Sequence, residues 1–205
     1  TEYFEFPETG DIPLVADMSS DFLARVIDVK KFGLIYAGAQ KNVAPAGVVI
    51  VIVRKDLLGK HLDITPTMLR YSVHADANSL YNTPPCYPIY IAGLVFKHLE
   101  KLGGIKAMEE INREKAAILY DFLDESKLFK NYVERKDRSL MNVPFTTPDK
   151  DLNEKFISEA EKAGLVTLRG HRLVGGMRAS IYNAMPVEGV KKLVEFMKKF
   201  EMENK

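Results

Sequence analysis

The sequence predicts an α/β fold. Three observations predict it: short apolar runs resembling strands around residues 12–17, 33–37 and 46–53, several longer segments whose apolar residues recur at helical spacing, and an alternation of the two without internal repeat. The 205 residues, 46% hydrophobic and 28% charged, have the balance of an ordinary globular chain and allow one large or two modest domains.

Taken in order, the first strand ends at Asp17, the second covers Leu34-Ile35-Tyr36, and the third is the apolar run Ala46 to Val53, read as buried. A helix follows from about Pro88 to Leu102, where Ile91, Leu94, Val95, His98, Leu99 and Leu102 form one stripe, and Gly103-Gly104 end it. A second helix runs from about Ile105 to Leu123, with Glu, Lys and Arg on its outer face. Met141, Val143 and Phe145 alternate as in a half-buried strand. Thr147-Pro148-Asp149 starts a helix bearing Leu152, Phe156, Ile157 and Ala160, which Gly164 stops. Leu165 to Leu168 and Met177 to Tyr182 read as two further strands. A last helix from about Val187 sets Val190, Leu193, Val194, Met197 and Phe200 on one face. The glycine pair divides the chain into residues 1–104 and 105–205.

Composition also excludes. A net charge of +1 gives no general field for nucleic acid or anionic membrane, so a phosphate would have to be held by local groups. The run Ala46 to Val53 is far shorter than the roughly 20 residues that span a bilayer. The single cysteine, Cys86, forbids an internal disulfide and suits a reducing cytosol. The histidines at 61, 74, 98 and 171 have no ligand spacing with one another or with Cys86, so no metal site is expected.

Three places carry possible chemistry. Lys41 lies among small residues, Ala37-Gly38-Ala39-Gln40, after the second strand, and Asp17 closes the first. An amine and a carboxylate at strand ends can face one cavity. Pyridoxal phosphate requires that pair: a lysine to hold its aldehyde and a carboxylate to keep its ring nitrogen protonated. The same residues equally suit a lysine that snorkels from a strand end and an aspartate that caps the turn into Ser19-Ser20, and spacing alone does not choose. Arg169, His171, Arg172 and Arg178 form a basic cluster interrupted by Gly170 and Gly175-Gly176. Arginine forks pair bidentately with carboxylate or phosphate, although a solvated surface loop has the same composition. Asn82-Thr83-Pro84-Pro85 fits a turn or helix cap with no ligand.

Four segments together resemble a known family: Val15-Ala16-Asp17-Met18-Ser19-Ser20, Tyr36-Ala37-Gly38-Ala39-Gln40-Lys41-Asn42, Tyr81-Asn82-Thr83-Pro84-Pro85, and Gly170 through Ser180. In order and spacing they look like the phosphoserine aminotransferases, pyridoxal-phosphate enzymes of class V and fold type I. The likeness runs over essentially the whole chain and is close in the stretch Gly175 to Pro186.

The resemblance implies catalytic roles for Lys41 and Asp17, contact with the cofactor phosphate for Gln40, and a place beside the cofactor ring for Ser19. It implies that Asn82 and Thr83 reach the cofactor phosphate of a neighbouring subunit in a homodimer. Arg178 matches the arginine that takes the substrate α-carboxylate; His171 and Arg172 match the pair that recognises the distal phosphate or carboxylate. Arg169 matches no assigned role. The expected reaction moves the amino group of L-glutamate to 3-phosphohydroxypyruvate, giving O-phospho-L-serine and 2-oxoglutarate, in serine biosynthesis in the cytoplasm. In bacteria of this family a related phosphorylated four-carbon substrate feeds vitamin B6 synthesis.

The chain opens Thr1-Glu2-Tyr3-Phe4 without an initiator methionine and aligns with the middle of the family's large domain. The resemblance therefore implies a missing N-terminal portion, lost or present as a separate chain, which in the family carries the phosphate loop, a stacking ring and a His-Arg pair. The absence of Trp agrees with that loss. The expected architecture is a truncated large domain, part of a mostly parallel mixed sheet with helices, over residues 1–104, and a small C-terminal α/β domain over 105–205. Two alternatives stand beside the enzyme: an inactive fragment or interaction module, and an aminotransferase of other specificity.

Overall fold

The computed structural model describes residues 2–204. They form two compact units, neither contiguous in sequence: Pro7–Phe22 with Val26–Lys101, and the residues up to Phe6 with Leu23–Arg25 and everything from Leu102 onward.

The first unit is built on a three-stranded mixed sheet. β1 (Val15–Asp17) runs parallel to β2 (Leu34–Gly38), and β2 pairs antiparallel with β3 (Val49–Val53). The central strand is the buried one, with Leu34, Ile35 and Ala37 in the core. β3 departs from the buried strand expected for its run: Val49, Val51 and Ile52 are 63%, 38% and 40% exposed. It is an edge strand paired only with β2, so its apolar faces lack a second layer. A short helix, α1 (Tyr71–Asp76), is too brief for its periodicity to show in the sequence. α2 (Cys86–Lys101) forms where the periodicity places it, but only Ala92 and Leu99 of it are buried. His98 is exposed, as are Tyr87, Tyr90, Leu94 and Phe96.

The second unit has a denser core. α3 (Gly104–Glu125) starts after Gly103, whose φ of 102° lies in the left-handed region that glycine adopts at little cost. β4 (Asn142–Phe145) and β5 (Met177–Ser180) pair antiparallel, with Pro144 opposite Arg178. Between them α4 (Lys150–Lys162) is capped by Asp149, whose carboxylate accepts from the Asp151 N–H. α5 (Val187–Glu203) buries Val190, Leu193, Val194, Met197 and Phe200, the predicted face. The core is aromatic at its centre. Phe129 lies 5.1 Å from Phe156 and 5.8 Å from Phe145, both edge-on, the arrangement ring quadrupoles favour. Leu165–Leu168 is not a ladder strand: an isolated bridge joins Arg169 to Met177, and the Leu168 carbonyl accepts from the Arg178 N–H. Gly164 at φ 81° ends α4, and Thr167 at φ 61° turns the backbone out of the extended region within this stretch, so no ladder continues along it.

A buried ion pair ties the opening residues into this unit. Arg25 Nε meets Glu2 Oε1 at 2.7 Å, Arg25 also donates to the Tyr3 carbonyl, and Glu2 Oε2 accepts from the Leu140 N–H. The Arg25 guanidinium lies 4.7 Å from the Phe4 ring centroid, so the charge is held by its stem and by an aromatic face as well.

Candidate active site

Parallel strands leave their carboxyl ends side by side, and in α/β sheets that edge is where ligands gather. β1 and β2 do so with Asp17 directly across from Tyr36. Beyond β1 the chain turns at Ser19, whose N–H donates to Asp17 Oδ1 at 2.8 Å. Beyond β2 the Gly38 N–H donates to Ser19 Oγ at 3.0 Å, locking the two turns together. The second turn closes on the Ala39 carbonyl, which accepts from the Val43 and Ala44 N–H groups, each at 2.9 Å. Gln40 and Lys41 occupy that turn and are exposed, so Lys41 sits on a turn past the strand end. Buried Asn42 anchors it by donating from Nδ2 to the Phe22 carbonyl at 3.0 Å.

The result is a carboxylate and an ammonium that feel each other. The Ser19 hydroxyl above all holds the Asp17 carboxyl below its ordinary 3.8; the Ser19 N–H, the Lys41 ammonium and the Tyr36 phenol act in the same direction, and partial burial opposes them. Tyr36 was not legible as part of this group, because only the strand register puts it beside Asp17. A Cβ at Gly38 would lie 3.6 Å from both Ser19 Oγ and Gln40 Oε1, so both side chains face the same small space.

Asn82 and Thr83 lie in the same unit, exposed in the loop before α2, where Asn82 Nδ2 donates to the Thr83 carbonyl at 3.2 Å.

The basic cluster belongs to the second unit and is split by its surroundings. Arg169 is engaged on the surface, with its two terminal nitrogens 2.5 and 2.7 Å from the Glu154 carboxylate oxygens. His171 and Arg172 are exposed on the loop between Gly170 and Gly176. Gly170 donates to the Gly176 carbonyl at 2.9 Å, and a Cβ at Gly170 would strike the Gly175 and Gly176 carbonyls, so the loop closes only on glycine. His171 Nδ1 accepts from the Leu173 N–H, which leaves Nε2 to carry the proton of the neutral ring. Arg178, on β5, is half-buried; its Nε is buried and has no hydrogen-bond partner among the described residues. A buried guanidinium N–H without an acceptor is costly, and an anionic ligand would satisfy it.

These donor sets fit a cofactor that needs an amine and a carboxylate, and a substrate that needs arginine forks. Among the described residues no helix is long and apolar enough to cross a membrane.

Comparison with known proteins gives the family. The family model described as Aminotransferase class-V matches residues 5–193. The chain is 57% identical to a phosphoserine aminotransferase of Bacillus cereus over 205 residues, all of this chain and 57% of that protein. It is 56% identical to one of Histophilus somni over 203 residues, 99% of this chain and 57% of the other. A solved phosphoserine aminotransferase from Bacillus circulans subsp. alkalophilus superposes with a TM-score of 0.95 at 46% identity, covering 99% of this chain and 56% of that one. A pyridoxal-phosphate-bound phosphoserine aminotransferase from Trichomonas vaginalis gives 0.91 at 42% identity, covering 96% and 56%. The chain thus spans a little over half the length of the curated relatives it matches. With the family model covering nearly all of it, the chain belongs to the class-V aminotransferases.

Proposed function

We propose that the chain is the lysine-bearing part of a phosphoserine aminotransferase that moves the amino group of L-glutamate to 3-phosphohydroxypyruvate, yielding O-phospho-L-serine and 2-oxoglutarate. The observation that carries this reading is the locked pair of turns at the ends of β1 and β2, which holds Asp17 as a carboxylate, chiefly through the Ser19 hydroxyl, on the same sheet edge as the Lys41 ammonium.

In this reading Lys41 holds pyridoxal phosphate through its aldehyde, Asp17 faces the ring nitrogen, Ser19 supports Asp17, and Gln40 meets the phosphate. When bound, the cofactor supplies an electron sink for charge developing at the substrate α-carbon. The chain's own work is positional and acid–base. Asp17 stays ionised and fixes a proton at the nitrogen it faces. Lys41, once freed and neutral, takes the proton from the α-carbon of the bound amino acid and later returns one to the α-carbon of the amino acceptor. Arg178 orients the α-carboxylate, its unpaired Nε–H gaining an acceptor. His171 Nε2 and the Arg172 fork receive the distal phosphate or carboxylate.

We further propose a homodimer in which Asn82 and Thr83 reach the partner's cofactor phosphate, a cytoplasmic location, and a complete enzyme that includes an N-terminal portion, in the same or a separate chain. The exposed apolar side chains of β3 and α2 support such covering layers. Residues 1–104 then supply the large domain and 105–205 the small one, apart from the residues up to Phe6 and Leu23–Arg25, which pack with the second unit.

The test is borohydride reduction of the protein incubated with pyridoxal phosphate, followed by peptide mapping, with and without the N-terminal portion. Label confined to Lys41, and lost when glutamate is added before reduction, is the expected result. Label spread over surface lysines in both samples would overturn the reading.

A further inference from the structure

Helix α3 turns two polar side chains into the core, one helical turn apart. Lys115 is 0% exposed. Its Nζ donates to the Ile181 carbonyl at 3.1 Å and to the Tyr182 carbonyl at 2.8 Å. Those acceptors are main-chain oxygens, and among the described residues no carboxylate pairs with this ammonium. Asn112, also 0% exposed, donates from Nδ2 to the Ala24 carbonyl and to Asn183 Oδ1, both at 2.9 Å. Asn183 in turn donates to the Leu23 carbonyl at 3.0 Å. Three successive residues, Ile181 to Asn183, are thus gripped from one helix.

What they continue is β5, the strand that carries Arg178. Upstream, β5 begins after Gly175 and Gly176, both at positive φ, and that end is held by the Arg178 N–H, which donates to the Leu168 carbonyl at 2.8 Å, and by the bridge between Met177 and Arg169. Its only partner in the sheet is β4, itself four residues long. Downstream, the Ile181 N–H donates to the Met141 carbonyl and the Ile181 carbonyl accepts from Lys115. Arg178 is therefore held from both ends of its strand, and on the downstream side the hold comes from the clamped carbonyls of Ile181 and Tyr182.

We propose that Lys115 is a positioning residue for Arg178: by clamping the carbonyls that follow β5 it sets where the Arg178 guanidinium presents itself to a carboxylate. An apolar side chain of the same length would fill the space and avoid burying a charge, so the ammonium is there for its directional bonds. This inference rests on the reading of Arg178 as the carboxylate-binding arginine.

The test is a double-variant cycle in the complete enzyme, read by calorimetric titration with L-glutamate and separately with pyridoxal phosphate. Lys115→Met should weaken glutamate binding about tenfold, the scale of one well-directed hydrogen bond to a charged group, and leave pyridoxal phosphate affinity unchanged. In an Arg178→Ala background the same change should cause no further loss, because coupled residues are not additive. Lys115→Gln, which retains one donor, should recover part of the affinity, and it carries the same cycle if the Met variant does not fold. In the 205-residue chain itself, the Arg178 Nε–H resonance should move in Lys115→Met. Glutamate affinity unchanged in Lys115→Met, or losses that add in the double variant, would overturn the proposal while leaving Arg178 in its role. Unchanged affinity in Arg178→Ala would overturn that role and the proposal with it.

Discussion

At Asp17 four neighbouring groups favour the carboxylate, the Ser19 hydroxyl foremost, and only partial burial works against them. Ser19→Ala removes the largest contribution, so the Asp17 pKa should rise toward 3.8, measurable by NMR titration of the side-chain carboxyl carbon; an unmoved value would show that the Ser19 hydroxyl does not donate to it. The sign follows: the folded value lies below the unfolded one, so these contacts stabilise the fold above the unfolded pKa and are lost as pH falls through the folded value. In the complete enzyme Asp17→Ala should retain pyridoxal phosphate, held by Lys41, yet lose transamination by about 10²- to 10³-fold, the usual scale for one electrostatic stabiliser. Near-normal turnover would remove Asp17 from its assigned place. Lys115 runs the other way. Burial lowers its pKa from 10.5 to about 8, so its charged form burdens the fold below that pH. Between pH 8 and 10.5 the unfolded chain binds the proton and the folded chain does not, so this residue's contribution to stability should rise with pH across that window. Urea midpoints for the parent and for Lys115→Met, compared at both ends of the window, isolate it.

Individual elements show which signals reach the surface of a sequence. α3, α4 and α5 were legible because one face of each packs on a core the chain itself supplies, and their apolar periodicity records that packing. α2 has the same periodicity yet is mostly exposed, since periodicity reports an intended partner and not whether that partner is in the chain. β3 is misread for the same reason: an all-apolar run encodes two covered faces, and here one neighbouring strand is present. Leu165–Leu168 shows the converse, a run with strand composition but only an isolated bridge beside it. In the candidate site Lys41, Asp17, Gln40 and Ser19 were legible from motif order. Tyr36 and Lys115 were not, because register and the path of the chain after β5 are three-dimensional facts. The aromatic core makes a quantitative prediction at this scale. Phe156, 0% exposed, contacts Phe129, Phe145, Phe196 and Phe200. Phe156→Ala should cost about 3–5 kcal/mol in denaturant unfolding; a loss under about 1 kcal/mol, within the range of repacking swaps, would mean the rings close over the cavity.

For the molecule as a whole, the segment Leu23–Arg25 leaves one compact unit, joins the other, and returns. A chain beginning at Leu102 would keep all the helices and strands of the second unit but lose Arg25, Glu2 and the carbonyls of Leu23 and Ala24. Asn112 and Asn183 would then each lose a main-chain acceptor. Residues 102–205 alone should therefore give the poorly dispersed amide spectrum of a molten state, whereas the 205-residue chain disperses. A well-dispersed spectrum from the shorter piece would show the threaded segment to be dispensable.

That threading also orders events in time. Glu2 accepts from the amide of Leu140, 138 positions later, and Arg25 pairs with that same early stretch. On the ribosome Glu2 emerges long before the Leu140 amide it accepts from, and at about 5–20 residues per second it waits many seconds for that donor. The second unit closes as a late, long-range event, after the stretch around Leu140 has been made.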